Sequence, residues 1–223
     1  MIDPKEFIIT RKRKKYKFAL FANSPICFEA AEWSERAPFA PNILEIGAGN
    51  GLFSVANAAV SPAKNFVAVD VKADRMQHGA RKAQAEKLEN IAFVRLRADE
   101  LLDNFGEHSL EAIWVTFPDP FPRDRSAKHR LTHRRFLELY ATLLQPGGML
   151  YFKTDNHALF DWSIEELVTY GWRIDQLTYD LHGSELPKHY KYLTTYEQRF
   201  LAEGLTTCFL RAVPPHVAEA RRR

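Results

Sequence analysis

Cysteine is almost missing from this chain: among 223 residues only Cys27 and Cys208 occur, with no CxxC spacing. Two such thiols support neither a disulfide framework nor a zinc site, so no metal is expected and a reducing cytoplasm is the natural home. Long apolar runs are missing as well. The longest, such as residues 111–117, fall far short of a bilayer crossing, and no apolar stretch of secretory type follows the basic N-terminus. Neither an internal repeat nor a low-complexity linker interrupts the chain. What remains is ordinary for a globular protein, with 46% hydrophobic and 26% charged residues. The length suits one α/β domain with a sizeable core, as a monomer or homodimer without a membrane partner.

Net charge is only +3, yet the basic residues are clumped. Six of the seven residues from Arg11 to Lys17 are Lys or Arg. A second cluster holds Arg123, Arg125, Lys128, Arg130, Arg134 and Arg135, with His129 and His133 between them, and the chain ends Arg221-Arg222-Arg223. Local basic patches under a modest net charge fit a polyanion held over part of the surface. The terminal runs are equally compatible with solvated tails. The middle cluster is harder to read that way, because it follows a distinctive motif.

Residues 1–40 read as a basic arm leading into a short helix, and 214–223 as a basic tail. Between them, residues 41–213 alternate strand and helix, the pattern of a mostly parallel sheet with helices on both faces. Strands are expected at 42–46, 66–70, 91–96, 111–116, 149–154, 172–177 and 207–213. Helices are expected at 52–60, 73–88, 133–144, 156–170 and 195–202.

The first strand closes on Gly47-Ala48-Gly49-Asn50-Gly51. A glycine-rich turn between strand and helix lets backbone approach a nucleotide-like ligand, because a Cβ there would block the ligand or forbid the dihedrals. Leu52 stands where the dinucleotide fingerprint has its third glycine, and none of the eight tyrosines is followed four residues later by the lysine of a short-chain dehydrogenase. A ligand without a pyrophosphate fits better. Asp70, ending the second strand, suits two ribose hydroxyls. Glu45, inside an apolar strand, requires a partner, since burying an unpaired charge is costly. Either the α-amino group of a methionine moiety or a neighbouring Lys or Arg would serve. Asp99 is placed to receive an adenine amine, helped by the Ala98 backbone, or to cap the helix that follows.

The segment Phe117-Pro118-Asp119-Pro120-Phe121-Pro122-Arg123 follows the fourth strand, where ligand meets chemistry in such sheets. Its three prolines fix dihedrals and remove donors, so Asp119 is held in a stiff frame. This segment resembles the P-D-P-[WF]-P-[KR] signature of the bacterial tRNA (guanine-N7-)-methyltransferase family, with its basic continuation. The resemblance extends to Glu45-Ile46-Gly47-Ala48-Gly49, to Lys153-Thr154-Asp155 and to Thr194-Thr195-Tyr196-Glu197, and more loosely to Phe21-Ala22-Asn23-Ser24-Pro25. It covers residues 21–211 with the motifs in order.

The resemblance implies a Rossmann-like class I methyltransferase with a seven-stranded, mostly parallel sheet, using S-adenosylmethionine and releasing S-adenosylhomocysteine. It implies that Glu45, Gly47, Gly49, Gly51, Asp70, Arg97, Ala98 and Asp99 hold the cofactor, and that catalytic Asp119 lies between cofactor and base. Arg123, Asp155, Thr194 and Glu197 would contact the tRNA nucleotide, a guanosine of the variable loop. Two positions differ from the commoner pattern: Arg97 where relatives often carry Asp or Asn against adenine, and Phe121 in place of the commoner Trp. Glu197 is a candidate reader of guanine N1–H and the exocyclic amine, and Phe121 or Tyr196 a candidate platform for an unstacked base. The basic clusters would hold phosphates, and the arm from Arg11 to Lys17 is a candidate for disorder until RNA binds.

Overall fold

The computed structural model describes residues 1–6 and 12–215. Arg11, the basic tail from 216 onward and the side chain of Tyr196 lie outside the described residues, so the expectations placed on them are not addressed. The chain divides into two compact units, Met1–Glu100 and Leu101–Arg223.

The first unit runs α1 (Lys12–Ala22), β1 (Cys27–Glu29), α2 (Ala30–Arg36), β2 (Ile43–Ile46), α3 (Leu52–Val60), β3 (Phe66–Asp70), α4 (Ala73–Ala85) and β4 (Ile91–Arg95). Its strands lie in the order β1-β4-β3-β2, with all neighbours parallel. The registers Ile46 against Val69 and Asp70 against Arg95 bring the C-terminal ends of β2, β3 and β4 to one edge. α4 is helical for a legible reason. Met76, Ala80 and Ala83 recur at helical spacing and are buried, whereas Arg75, Arg81 and Lys82 stay outside that stripe. The stripe packs with Val55 and Ala58 of α3 and with Phe66, Ala68, Ile91 and Phe93 of the strands. Each large side chain so enclosed contributes about 1.5–3 kcal/mol.

The second unit runs α5 (Leu101–Asn104), β5 (Leu110–Thr116), α6 (Arg134–Leu143), β6 (Leu144–Thr154), α7 (His157–Thr169), β7 (Arg173–Thr178), α8 (Thr195–Ala202) and β8 (Cys208–Val213). Its strand order is β5-β6-β8-β7, parallel between β5 and β6 and antiparallel at the other two junctions. The helices start on side-chain caps: His133 Nδ1 accepts from Arg135 N at 3.3 Å, and Asn156 Oδ1 from Leu159 N at 2.8 Å.

Strand–helix alternation with mostly parallel pairing is the expected Rossmann-like class I arrangement. Three expectations are corrected. The described strands number eight rather than seven, because Cys27–Glu29 also pairs with β4. Three residues directly after Ser24-Pro25 are too few to show a strand period. The arm is helical from Lys12 onward, since Ala19 and Phe21 are buried and the Arg95 guanidinium lies 5.2 Å from the Phe18 ring. Pro146-Gly147-Gly148 lies inside β6 instead of before it, as an irregularity in the register with β5. Among the described residues, no helix is long and apolar enough to cross a membrane.

Candidate functional site

In the first unit, the site begins where β2 stops. Gly47, Gly49 and Gly51 all have left-handed φ, at 74°, 59° and 70°. Any other residue would be strained at each of them. Gly47 N and Ala48 N donate to Val69 O, so the loop is laid against β3. A Cβ added at Gly49 would meet nothing within 4 Å, so the space beside its backbone is open. A Cβ at Gly51 would stand 2.5 Å from the Phe93 ring. One glycine thus leaves room for a ligand and the other for the protein itself.

The carboxylates of this unit brace the loop. Asp70 accepts from Gly49 N through Oδ2 and from Lys72 N through Oδ1, both at 2.8 Å. Each oxygen keeps a lone pair for a further donor. Glu45 is 2% exposed, and its Oε2 accepts from Ser54 Oγ at 2.5 Å and Ser54 N at 3.2 Å. These bonds tie β2 to the first turn of α3 across the loop. At the end of β4, Arg97 grips Asp99 with Nε to Oδ1 at 2.9 Å and Nη2 to Oδ2 at 3.0 Å. Arg97 N donates to Glu100 Oε2 at 2.9 Å across the same turn.

Sequence reasoning passed over Gly79. Its N–H donates to Asn50 O at 2.9 Å, and an added Cβ would stand 2.5 Å from that oxygen and 2.8 Å from the Phe93 ring. A glycine inside a helix costs about 1 kcal/mol relative to alanine, and that cost is the signal that could have found it.

In the second unit, β5 continues into the stiff loop. Phe117 N still donates to Lys153 O at 2.8 Å, and then Phe117 and Phe121 adopt left-handed φ of 47° and 43°. Such backbone costs a non-glycine residue about 1–3 kcal/mol and persists only where its surroundings enforce it. Arg130 supplies the enforcement. It is 8% exposed, donates from Nε to Pro120 O at 3.1 Å and from Nη2 to Phe121 O at 3.0 Å, and lies 4.4 Å over the Trp162 ring. Arg130 was expected to hold phosphate. It is instead a staple, because burial and two carbonyls occupy its fork. Arg123, Arg125 and Lys128 remain exposed.

The loop presents Asp119 as an exposed carboxylate with no side-chain partner among the described residues. Asp155 follows the C-terminal end of β6, the parallel neighbour of β5, and burial raises its pKa above the ordinary carboxylate range. The other two expected contacts sit differently. Thr194 Oγ1 accepts from Glu197 N and Glu197 Oε2 from Thr194 N, both at 3.1 Å, a capping box at the start of α8. Glu197 is fully buried, where Lys153 Nζ reaches it at 2.9 Å and His182 Nε2 at 2.8 Å. Its carboxylate is enclosed by protein between Lys153 and His182. Phe121 packs against His129 at 5.6 Å.

The comparisons with known proteins agree. The family model described as "Putative methyltransferase" matches residues 39–210. The chain is 38% identical to the tRNA (guanine-N(7)-)-methyltransferase of Cytophaga hutchinsonii, over 77% of this chain and 79% of that one. It is 34% identical to the enzyme of the same description from Brevibacillus brevis, over 84% and 87%. Among solved structures, the 16S rRNA methyltransferase KamB superposes with a TM-score of 0.62 at 18% identity, covering 83% of this chain and 94% of that one. A 16S rRNA (adenine(1408)-N(1))-methyltransferase with the cosubstrate SAM, from Catenulisporales acidiphilia, gives 0.54 at 17% identity, over 83% and 91%.

Proposed function

The chain belongs to the tRNA (guanine-N7-)-methyltransferase family, and we propose that it methylates N7 of a guanosine in the variable loop of tRNA, in the cytoplasm. The observation that carries this reading is the Asp119 loop. An exposed carboxylate stands in a backbone fixed by three prolines, two strained aromatic residues and the Arg130 staple.

The first unit fits S-adenosylmethionine, whose sulfonium methyl is the group transferred. The open side of Gly49 admits a ligand to the backbone, and the remaining lone pairs of Asp70 suit the ribose hydroxyls. Glu45 acts by bracing the loop through Ser54. Asp99, oriented by Arg97, and the Ala98 backbone take adenine in this reading.

Guanine N7 carries its own lone pair, so the protein needs no base to create a nucleophile. It must align N7 with the methyl group and stabilise the positive charge that spreads over the purine. Asp119 and Asp155 are the carboxylates suited to that charge and to the donors of the base edge. Arg123 takes a phosphate, and Thr194 contacts the nucleotide from the start of α8. Arg125, Lys128 and the exposed lysines of α1 bind backbone phosphates without reading sequence.

Incubation with labelled S-adenosylmethionine and undermodified tRNA, followed by nucleoside mapping, tests the reading. The expected product is 7-methylguanosine, and a different modified nucleoside overturns it. Asp119→Ala should lower kcat by at least 100-fold, on the order expected for a preorganised transition-state contact, while tRNA binding survives. Full activity in that variant removes Asp119 from the mechanism.

A further inference from the structure

We propose that Lys153 is a positioning residue for the tRNA nucleotide, acting from inside β6 on the segment 190–197. The proposal rests on the reading that Thr194 and its neighbours take that nucleotide. An ammonium group has three N–H donors, and Lys153 directs them to three acceptors in this one segment. They are Tyr190 O at 3.1 Å, Tyr192 O at 3.2 Å and the Glu197 carboxylate at 2.9 Å. Both charged side chains are completely enclosed.

The segment depends on such a hold. Between the end of β7 at Thr178 and the start of α8 at Thr195, regular structure amounts to one short 3-10 turn, Lys188–Lys191. No ladder of backbone bonds therefore fixes the path. Lys191 Nζ ties part of it internally, donating to His182 O and Ser184 O. Lys153 ties β6 to Tyr190 O, Tyr192 O and Glu197, and Arg211 of β8 adds a bond from Nη1 to the Tyr190 hydroxyl at 3.2 Å. Through Glu197, Lys153 also reaches Thr194, whose N–H donates to Glu197 Oε2, and His182.

A buried ion pair is weak evidence of stability, because well-packed apolar residues of similar volume do as well or better. What the pair supplies here is geometry. It sets one end of α8, and with it Thr194, relative to β6, whose C-terminal end leads into Asp155. Lys153 touches no substrate in this account. It fixes the groups that do.

The test compares Lys153→Met and Lys153→Gln with Leu167→Ala, a truncation in the buried face of α7 that serves as a destabilised control. Assays are run at a temperature where circular dichroism shows every variant folded. Lys153→Gln keeps donors for the carbonyls and serves as the measured variant if Lys153→Met does not fold. The expected result is a KM for tRNA raised at least tenfold, with the dissociation constant for S-adenosylmethionine within twofold of wild type. Equal effects on both ligands, or a tRNA effect no larger than that of Leu167→Ala, overturn the proposal. A wild-type protein that forms no 7-methylguanosine overturns the underlying reading instead, whatever the lysine variants do.

Discussion

Replacing Arg130 separates two uses of a basic residue that sequence alone cannot distinguish. Arg130 sits in a run of cations beside the Asp119 loop, and a phosphate-binding role would be the ordinary assumption. Its fork, however, is closed on Pro120 O and Phe121 O, and its guanidinium lies on Trp162. Arg130→Ala removes charge-assisted hydrogen bonds to two carbonyls and a cation–π contact from an enclosed site, a loss of about 3 kcal/mol. For a chain of this length that lowers Tm by about 6–12 °C. The Asp119 loop, with its two left-handed aromatic residues, then loses its fastening, and a displacement of the order of 1 Å at Asp119 costs about 100-fold in kcat. A phosphate contact predicts something else. Neutralising one phosphate-bound cation lowers the slope of log K against log salt by about 0.7–0.9 for tRNA binding. Thermal melts, steady-state kinetics and binding across a salt series should show the first pattern for Arg130→Ala and the second for exposed Arg125→Ala. A reduced salt slope with unchanged Tm in Arg130→Ala would refute the staple.

Gly79→Ala gains about 1 kcal/mol of helix propensity yet should lower both Tm and affinity for S-adenosylmethionine, because its Cβ would press on Asn50 O of the glycine loop and on Phe93. Calorimetric titration with the cofactor checks this, and a stabilised variant of normal affinity would show that the loop yields freely. Asp155→Asn addresses a carboxylate whose pKa burial raises. The folded state then binds the proton more tightly than the unfolded chain, so stability falls as pH rises from the unfolded value through the folded one and stays lowered above it. At neutral pH the neutral amide should raise Tm while methyl transfer drops. A Tm that does not rise, or rises equally at pH 3, would contradict the sign.

The glycine loop, the strand ends and the Asp119 motif were legible because each rests on a local rule. Glycine is demanded by φ, helices by the spacing of Met76, Ala80 and Ala83, and the stiff loop by its prolines. α3, β3 and α8 have the boundaries that the pattern predicts. What escaped depends on partners distant in sequence. Glu45 was recognised as a buried carboxylate in need of a partner, but Ser54 was not foreseen, because a hydroxyl nine residues away leaves no charge pattern. Arg97 and Asp99 were each expected at the cofactor, and their pairing with one another was not foreseen. Gly79 and Asn50 meet only through the packing of α4 on the loop.

The reasoning that singled out Glu45 applies with equal force to Lys153, a charge inside an apolar strand, and it leads to the most consequential difference between sequence and structure. Thr194-Thr195-Tyr196-Glu197 has the spacing of a capping box, and the structure uses Thr194 and Glu197 in that way. The box explains a buried glutamate without any ligand, since the carboxylate that caps α8 also neutralises Lys153. The motif is therefore a mechanical element, and its two residues divide the work. Thr194 stands at the start of the helix, while Glu197 transmits to it the position of β6 through Lys153. Beyond β5, Arg130 stands to the Asp119 loop as Lys153 stands to the segment before α8: each is a cation turned inward on backbone carbonyls. Arg130 and Lys153 thus differ from the exposed Arg125 and Lys128 by burial rather than by charge, and only the exposed ones should answer to salt when tRNA binding is measured.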